Sequence, residues 1–116
     1  MARIDDYAFG RIEIGGETFA KDVIILPDRV APNWWRKQGH WLDPEDLAAV
    51  WPEAPATLII GTGYHGNMVV PPKTREIAAG HGVELVDLPT REAVERFNRL
   101  IEAGTGKVIA ALHLTC

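Results

Sequence analysis

The chain has 116 residues, room for one hydrophobic core and not two. Its apolar fraction of 47% and charged fraction of 24% are those of an ordinary globular domain. A formal net charge of −4 argues against a general nucleic-acid binder, which needs a basic face for phosphates, and no apolar run approaches the roughly 20 residues that span a bilayer, so neither nucleic acid nor membrane is an expected partner.

The N-terminus carries Asp5-Asp6 where a secretory signal would have its apolar core. Cys116 is the one cysteine, so an internal disulfide is excluded and a reducing, cytoplasmic home is expected. Arg11-Ile12-Glu13-Ile14 alternates polar and apolar, Gly15-Gly16 follows, then Glu17-Thr18-Phe19. Two short runs around Gly-Gly predict an N-terminal β-hairpin, since both turn positions can take positive φ. Val23–Leu26 is an apolar run between Asp22 and Pro27-Asp28 and reads as a strand; residues 27–33 read as a proline-stiffened turn or hairpin loop.

An aromatic and basic segment comes next: Trp34, Trp35, Arg36, Lys37, His40 and Trp41, with Trp51 shortly after. Helix start signals overlap it. Asp43 suits an N-cap, Pro44 suits the first helical position, and Glu45 and Asp46 suit the positive end of the dipole. Leu47, Val50 and Trp51 supply an apolar face, and Pro52 stops the element. Thr57–Ile60 reads as a buried strand that runs into the glycine-rich corner Gly61-Thr62-Gly63-Tyr64-His65-Gly66. Asn67–Val70 returns to an extended pattern, and residues 73–79 carry helix formers closed by Gly80-His81-Gly82. Val83–Leu88 is a further strand. Thr90 opens the longest helix as its N-cap, with an apolar stripe at Ala93, Val94, Phe97, Leu100 and Ile101, and Gly104-Thr105-Gly106 ends it. Val108–Leu112 is apolar on both faces and belongs inside a sheet. The order of elements predicts one α/β domain over residues 1–116, with a mixed central sheet flanked by helices and the hairpin at its N-terminus.

The corner matches G-x-G-x-x-G in letters, but a dinucleotide fingerprint must open a helix, and the residues after Gly66 read as extended. Two readings remain: a turn that needs glycine, or a small pocket lined by main-chain amides of residues 61–66 that holds an anion, a nucleotide or a carboxylate metabolite. The candidate ligand-binding residues are Gly61, Thr62, Gly63, His65 and Gly66, joined by Arg36 as an anion anchor and by His113 at the end of an interior strand. His40, His65, His81 and His113 have no metal-ligand spacing, so no metal and no cofactor are expected. Cys116 would need a neighbouring cation to become a nucleophile. The tryptophan segment reads in three ways: core filling, stacking on single-stranded nucleic acid, or a protein-contact surface at Trp34, Trp35 and Trp41.

Several stretches taken together resemble a known family. Trp35-Arg36 with Gly39-His40, Leu58–Gly63, Met68–Pro71, Thr90 through Phe97-Asn98, and Ala111-Leu112-His113-Leu114-Thr115-Cys116 are similar to the small domain found in the adipogenesis-associated domain protein and in the mitochondrial complex I assembly factor 3. The resemblance implies a three-layer α/β fold with a mixed central sheet. It implies no catalytic residues, and its mitochondrial member is an assembly factor. The residues spell no readable catalytic set. They favour a binding or assembly module, monomeric or weakly dimeric, with a protein partner; the alternative is an enzyme or sensor for a small anionic ligand at the same pocket.

Overall fold

The computed structural model describes residues 3–104 and 106–116. Strand β1 (Ile4–Ala8), β2 (Arg11–Ile14) and β3 (Glu17–Phe19) form an antiparallel sheet in the order β1-β2-β3. Ile12 and Ile14 turn inward while Arg11 faces out, and Gly15 and Gly16 both take positive φ at the turn, as the Gly-Gly spelling predicts. Strand β1 extends that hairpin by one strand. Its register slips between Ile4 and Asp6, so its two buried residues, Ile4 and Tyr7, stand three apart instead of two. That bulge hides the strand from a search for alternation.

The second sheet holds β4 (Val23–Ile25), β5 (Val30–Ala31), β6 (Thr57–Thr62), β7 (Glu84–Leu88) and β8 (Val108–His113) in the order β5-β4-β8-β6-β7. Strand β6 runs parallel to β7 and β8, while β4 is antiparallel to both β8 and β5, so the sheet is mixed. The doubly apolar Val108–Leu112 run forms the strand in the middle, buried throughout. Helix α1 (Pro72–Gly80) and helix α2 (Thr90–Ala103) supply the crossovers that parallel strands need.

The sheet separates two cores. Val23, Ile25, Ile59, Ala110 and Leu112 face α2 and the three-stranded sheet, where Ala93 and Phe97 pack with Ile12 and Ile14. Ile24, Leu58, Ile60, Ile109 and Ala111 face the other way, against Leu42, Leu47, Val50 and Ala78. The result is the three-layer α/β arrangement with a mixed central sheet.

Three local expectations are corrected. The predicted helix after Asp43 resolves into two short 3-10 turns, Pro44–Leu47 and Trp51–Glu53. Pro52 lacks an amide and Ala54 is left-handed at φ 47°, so no α-helical ladder can run through. Leu47 and Val50 are fully buried all the same, because burial and not helicity is what their spacing serves. Residues 67–70 form no strand of the sheet; Val69 makes one parallel bridge to Trp41. Thr90 is the first residue of α2, with Pro89 at the N-cap, and its hydroxyl points into the core. The helix ends at Gly104 in the left-handed conformation, while Thr105 of the expected stop lies outside the described residues.

Candidate functional site: a buried Asp-Arg-His cluster at the strand ends

Alternation along β8 decides where His113 goes. Val108, Ala110 and Leu112 face the first core, Ile109 and Ala111 the second, and His113 continues the second set at the C-terminal end of the strand. It lies beside Thr62, its register partner on the parallel strand β6. Arg36 arrives from the loop after β5 and Asp22 from the residue before β4. The three side chains meet: Asp22 Oδ2 is 2.8 Å from Arg36 Nη1 and 2.8 Å from His113 Nδ1, and Arg36 Nη2 is 3.0 Å from the same Nδ1. Arg36 and His113 are only 9% and 6% exposed.

Each charged group is tied further. Asp22 Oδ1 accepts from the Leu114 amide at 2.7 Å. Arg36 Nε and Nη2 both donate to Gly39 O, at 3.2 and 3.0 Å, and its guanidinium carbon lies 4.7 Å from the centre of the Trp34 ring. Burial alone would raise the Asp22 carboxyl. Hydrogen bonds from His113, the Leu114 amide and Arg36 outweigh it and hold the acid below its ordinary value of 3.8. Arg36 and His113, two residues singled out by type alone, are thus brought together. Asp22 was legible only as the polar residue bounding an apolar run, and nothing in its immediate sequence marks it as their partner.

The glycine-rich corner is built differently from an open amide cradle. Gly63 N donates to Thr90 Oγ1 at 2.9 Å, Tyr64 N to Thr115 O at 2.7 Å, and Gly66 N to Gly63 O at 3.1 Å. Gly63 has φ 109°, and a Cβ there would strike the Cys116 carbonyl. The main-chain amides of this corner that an anion would use are therefore spent at positions 63, 64 and 66, and the C-terminal residues pack into the space. Gly61 lets Thr90 approach, since a Cβ there would lie 2.9 Å from the threonine oxygen. Thr62 Oγ1 donates to Leu88 O at 3.1 Å. No helix starts at the break: the chain stays irregular from Tyr64 until α1 begins at Pro72.

The remaining candidates separate. His65 is exposed and packs against Phe9 and Tyr64, apart from the cluster. His81 stacks on Trp51 at 5.0 Å. His40 stands edge-on to His113 with ring centres 5.8 Å apart. Cys116 is a partly exposed free thiol. Among the described residues no group of three His, Cys, Asp or Glu is placed to hold a metal ion. The tryptophans divide: Trp34 packs against the second core and donates to Asp46 O at 2.8 Å, Trp51 packs there too, while Trp35 is 76% exposed and Trp41 40%. Trp35 borders a groove of about 390 Å³ lined by Ile24, Ala31, Trp34, Ala48 and Ala49.

Architecture and site together define a class: a small three-layer α/β domain that buries a histidine against an Asp–Arg ion pair where its parallel strands end. Residues 4–113 match the family described as Protein of unknown function (DUF498/DUF598), and the chain belongs to that family. Solved structures agree over the full length. The conserved hypothetical protein PH1505 of Pyrococcus horikoshii OT3 is 28% identical, with 98% of this chain and 99% of that one covered and a TM-score of 0.79. The protein MT938 is 26% identical over 100% of both chains, with a TM-score of 0.80. A Mth938-like domain protein of Bordetella pertussis shares the fold at 21% identity, with 97% and 85% covered and a TM-score of 0.70. These comparisons support a small domain family of unknown function; they do not carry the complex I assembly factor naming that the sequence suggested. Among the described residues no helix is long and apolar enough to cross a membrane.

Proposed function

We propose that this domain is a non-catalytic cytoplasmic binding module that docks a partner protein through the face around Trp35. The observation that carries the reading is the exposure of that indole, 76%, beside a groove with an apolar floor. A large aromatic side chain left in water gains by being covered, and tryptophan with arginine dominates the energetics of protein contacts. The scaffold beneath it is firm. Trp34 is fixed by its bond to Asp46 O, and Arg36 is locked by Asp22 and Gly39, so the loop presents Trp35 without ordering cost on binding. Lys37, Glu45 and Asp46 place charge of both signs on the rim, which suits discrimination between partners. An assembly role like that of the mitochondrial protein the sequence resembles is one form such docking would take.

A photo-crosslinking residue at position 35 should capture one dominant partner in intact cells, and the same residue at exposed Lys73 should not. Trp35→Ala should abolish that association while moving stability by no more than about 0.5 kcal/mol, as exposed positions do. Identical capture from positions 35 and 73 would overturn the reading. A second reading, a small-ligand site, rests on a different observation: the spent amides of the glycine corner move it to the Arg36–His113 cluster.

A further inference from the structure

Among the described residues, His113 Nε2 is the buried side-chain nitrogen or oxygen without a hydrogen-bond partner. The kind of partner it lacks follows from the opposite ring nitrogen. A bare Nδ1 would press its lone pair on the Asp22 carboxylate oxygen 2.8 Å away, whereas a protonated Nδ1 donates to it. Arg36 Nη2 does not depend on Nδ1 as an acceptor, because Gly39 O lies 3.0 Å from it. Nδ1 therefore carries the proton. In the neutral ring Nε2 is left with a lone pair and no hydrogen. A carboxylate that orients a histidine in this way also makes the far nitrogen a better base.

The position suits a ligand. His113 stands at the C-terminal ends of the parallel strands β6 and β8, the edge where α/β sheets seat small molecules. His40 stands edge-on to the His113 ring, is itself exposed, and sits in a turn closed by the Gln38–Trp41 bridge. The neighbouring Gly39 faces open space. An exposed ring changes rotamer in picoseconds to nanoseconds, so His40 can move aside without unfolding.

Charge narrows the chemistry. Arg36 and Asp22 cancel, and each guanidinium nitrogen of Arg36 already donates to Asp22 or Gly39. An anion would find no free positive charge and would face a lone pair. A cation would likewise find no free negative charge. We propose that His113 Nε2 anchors a small-molecule site whose ligand is a neutral hydrogen-bond donor, an alcohol O–H or an amide N–H, admitted beneath the Gly39–His40 turn. This reverses the polarity of ligand that the glycine corner suggested, and it stands independently of the Trp35 face.

The test is nuclear magnetic resonance of the uniformly ¹⁵N-labelled protein at about pH 8, well above the ordinary histidine range. Long-range ¹H–¹⁵N correlations should show His113 with a protonated Nδ1 and a bare Nε2. Ethylene glycol and formamide, as neutral donor probes, should shift Nε2 and the His40 ring saturably, while inorganic phosphate should leave both in place. His113→Leu should abolish the response of the His40 ring; since it disturbs the ion pair, His40→Ala serves as a second variant, built on an exposed side chain, and should strengthen the response of Nε2 severalfold. The proposal fails if Nε2 carries the proton, if phosphate moves it and the neutral donors do not, or if only water exchanges there and neither probe saturates.

Discussion

Thr90 carries a fully buried hydroxyl that serves three segments of the chain. It donates to His113 O at 2.6 Å and accepts from Gly63 N at 2.9 Å, while its own amide donates to Gly63 O at 3.0 Å. The start of α2, the glycine corner and the end of β8 are held by one side chain. Thr90→Ala strands a buried amide and a buried carbonyl, at about 1 kcal/mol each, so a loss of about 2 kcal/mol is expected in urea denaturation. Thr90→Ser keeps both bonds and should lose only about 1 kcal/mol, for the missing methyl group. Asp22 makes a prediction in pH. Its folded-state pKa lies below the ordinary 3.8, so the native protein releases this proton more readily than the unfolded chain does. The stability it contributes is complete above about pH 5, begins to fade near pH 4, and is lost as the pH falls through the folded value. Asp22→Asn should flatten that acid limb. At neutral pH it should also cost about 3–5 kcal/mol, because it leaves Arg36 buried without its counter-charge.

At the scale of elements, the glycine corner separates conformational need from packing need. Gly63 and Gly66 both have positive φ, 109° and 71°. A side chain at 66 would rest 3.5 Å from Pro89, an ordinary contact, whereas one at 63 would collide with main chain at Cys116. Gly66→Ala should therefore cost about 1–2 kcal/mol, for a left-handed backbone alone. Gly63→Ala should cost more than about 3 kcal/mol, since the tail must also be displaced; paired thermal melts would show the ordering. This corner also shows what the sequence can and cannot tell. Periodicity is local, so the Arg11–Phe19 hairpin, the central β8 and the stripe of α2 could all be read directly. The bulge in β1 broke the period, and prolines cut the segment after Asp43 into 3-10 turns while its burial pattern survived. Arg36 and His113 drew notice as residue types, yet their meeting with Asp22 depends on pairings 77 and 91 residues apart in the chain. No local rule reaches across that separation. Nor can spelling show that amides in a glycine-rich run are occupied by a distant threonine and a distant tail.

For the molecule as a whole, the two sheets are joined by a shared core and also by the residues after β8. Leu114 O accepts from the Tyr7 hydroxyl and from Gly10 N, both at 2.9 Å, which fastens the three-stranded sheet to the strand ends. Thr115 O and Cys116 O accept from Tyr64 and Asn67, fastening the glycine corner. Strand β8 itself lies between β4 and β6, although it follows both of them in the chain. Synthesis runs from the N-terminus, so β4, β6 and β7 leave the ribosome before the strand that must separate β4 from β6 exists. Until residues 108–113 emerge from the exit tunnel, β4 and β6 have no neighbour to share, and the hairpin and α2 wait on an unfinished surface. Nascent chains stalled with Val108 still inside the tunnel should be cleaved readily by a protease, and release of a further stretch carrying His113 should bring resistance in one step. Folding of this domain during synthesis is thus a single event that awaits its last strand, and its earlier apolar strands are exposed to holding chaperones until that strand emerges.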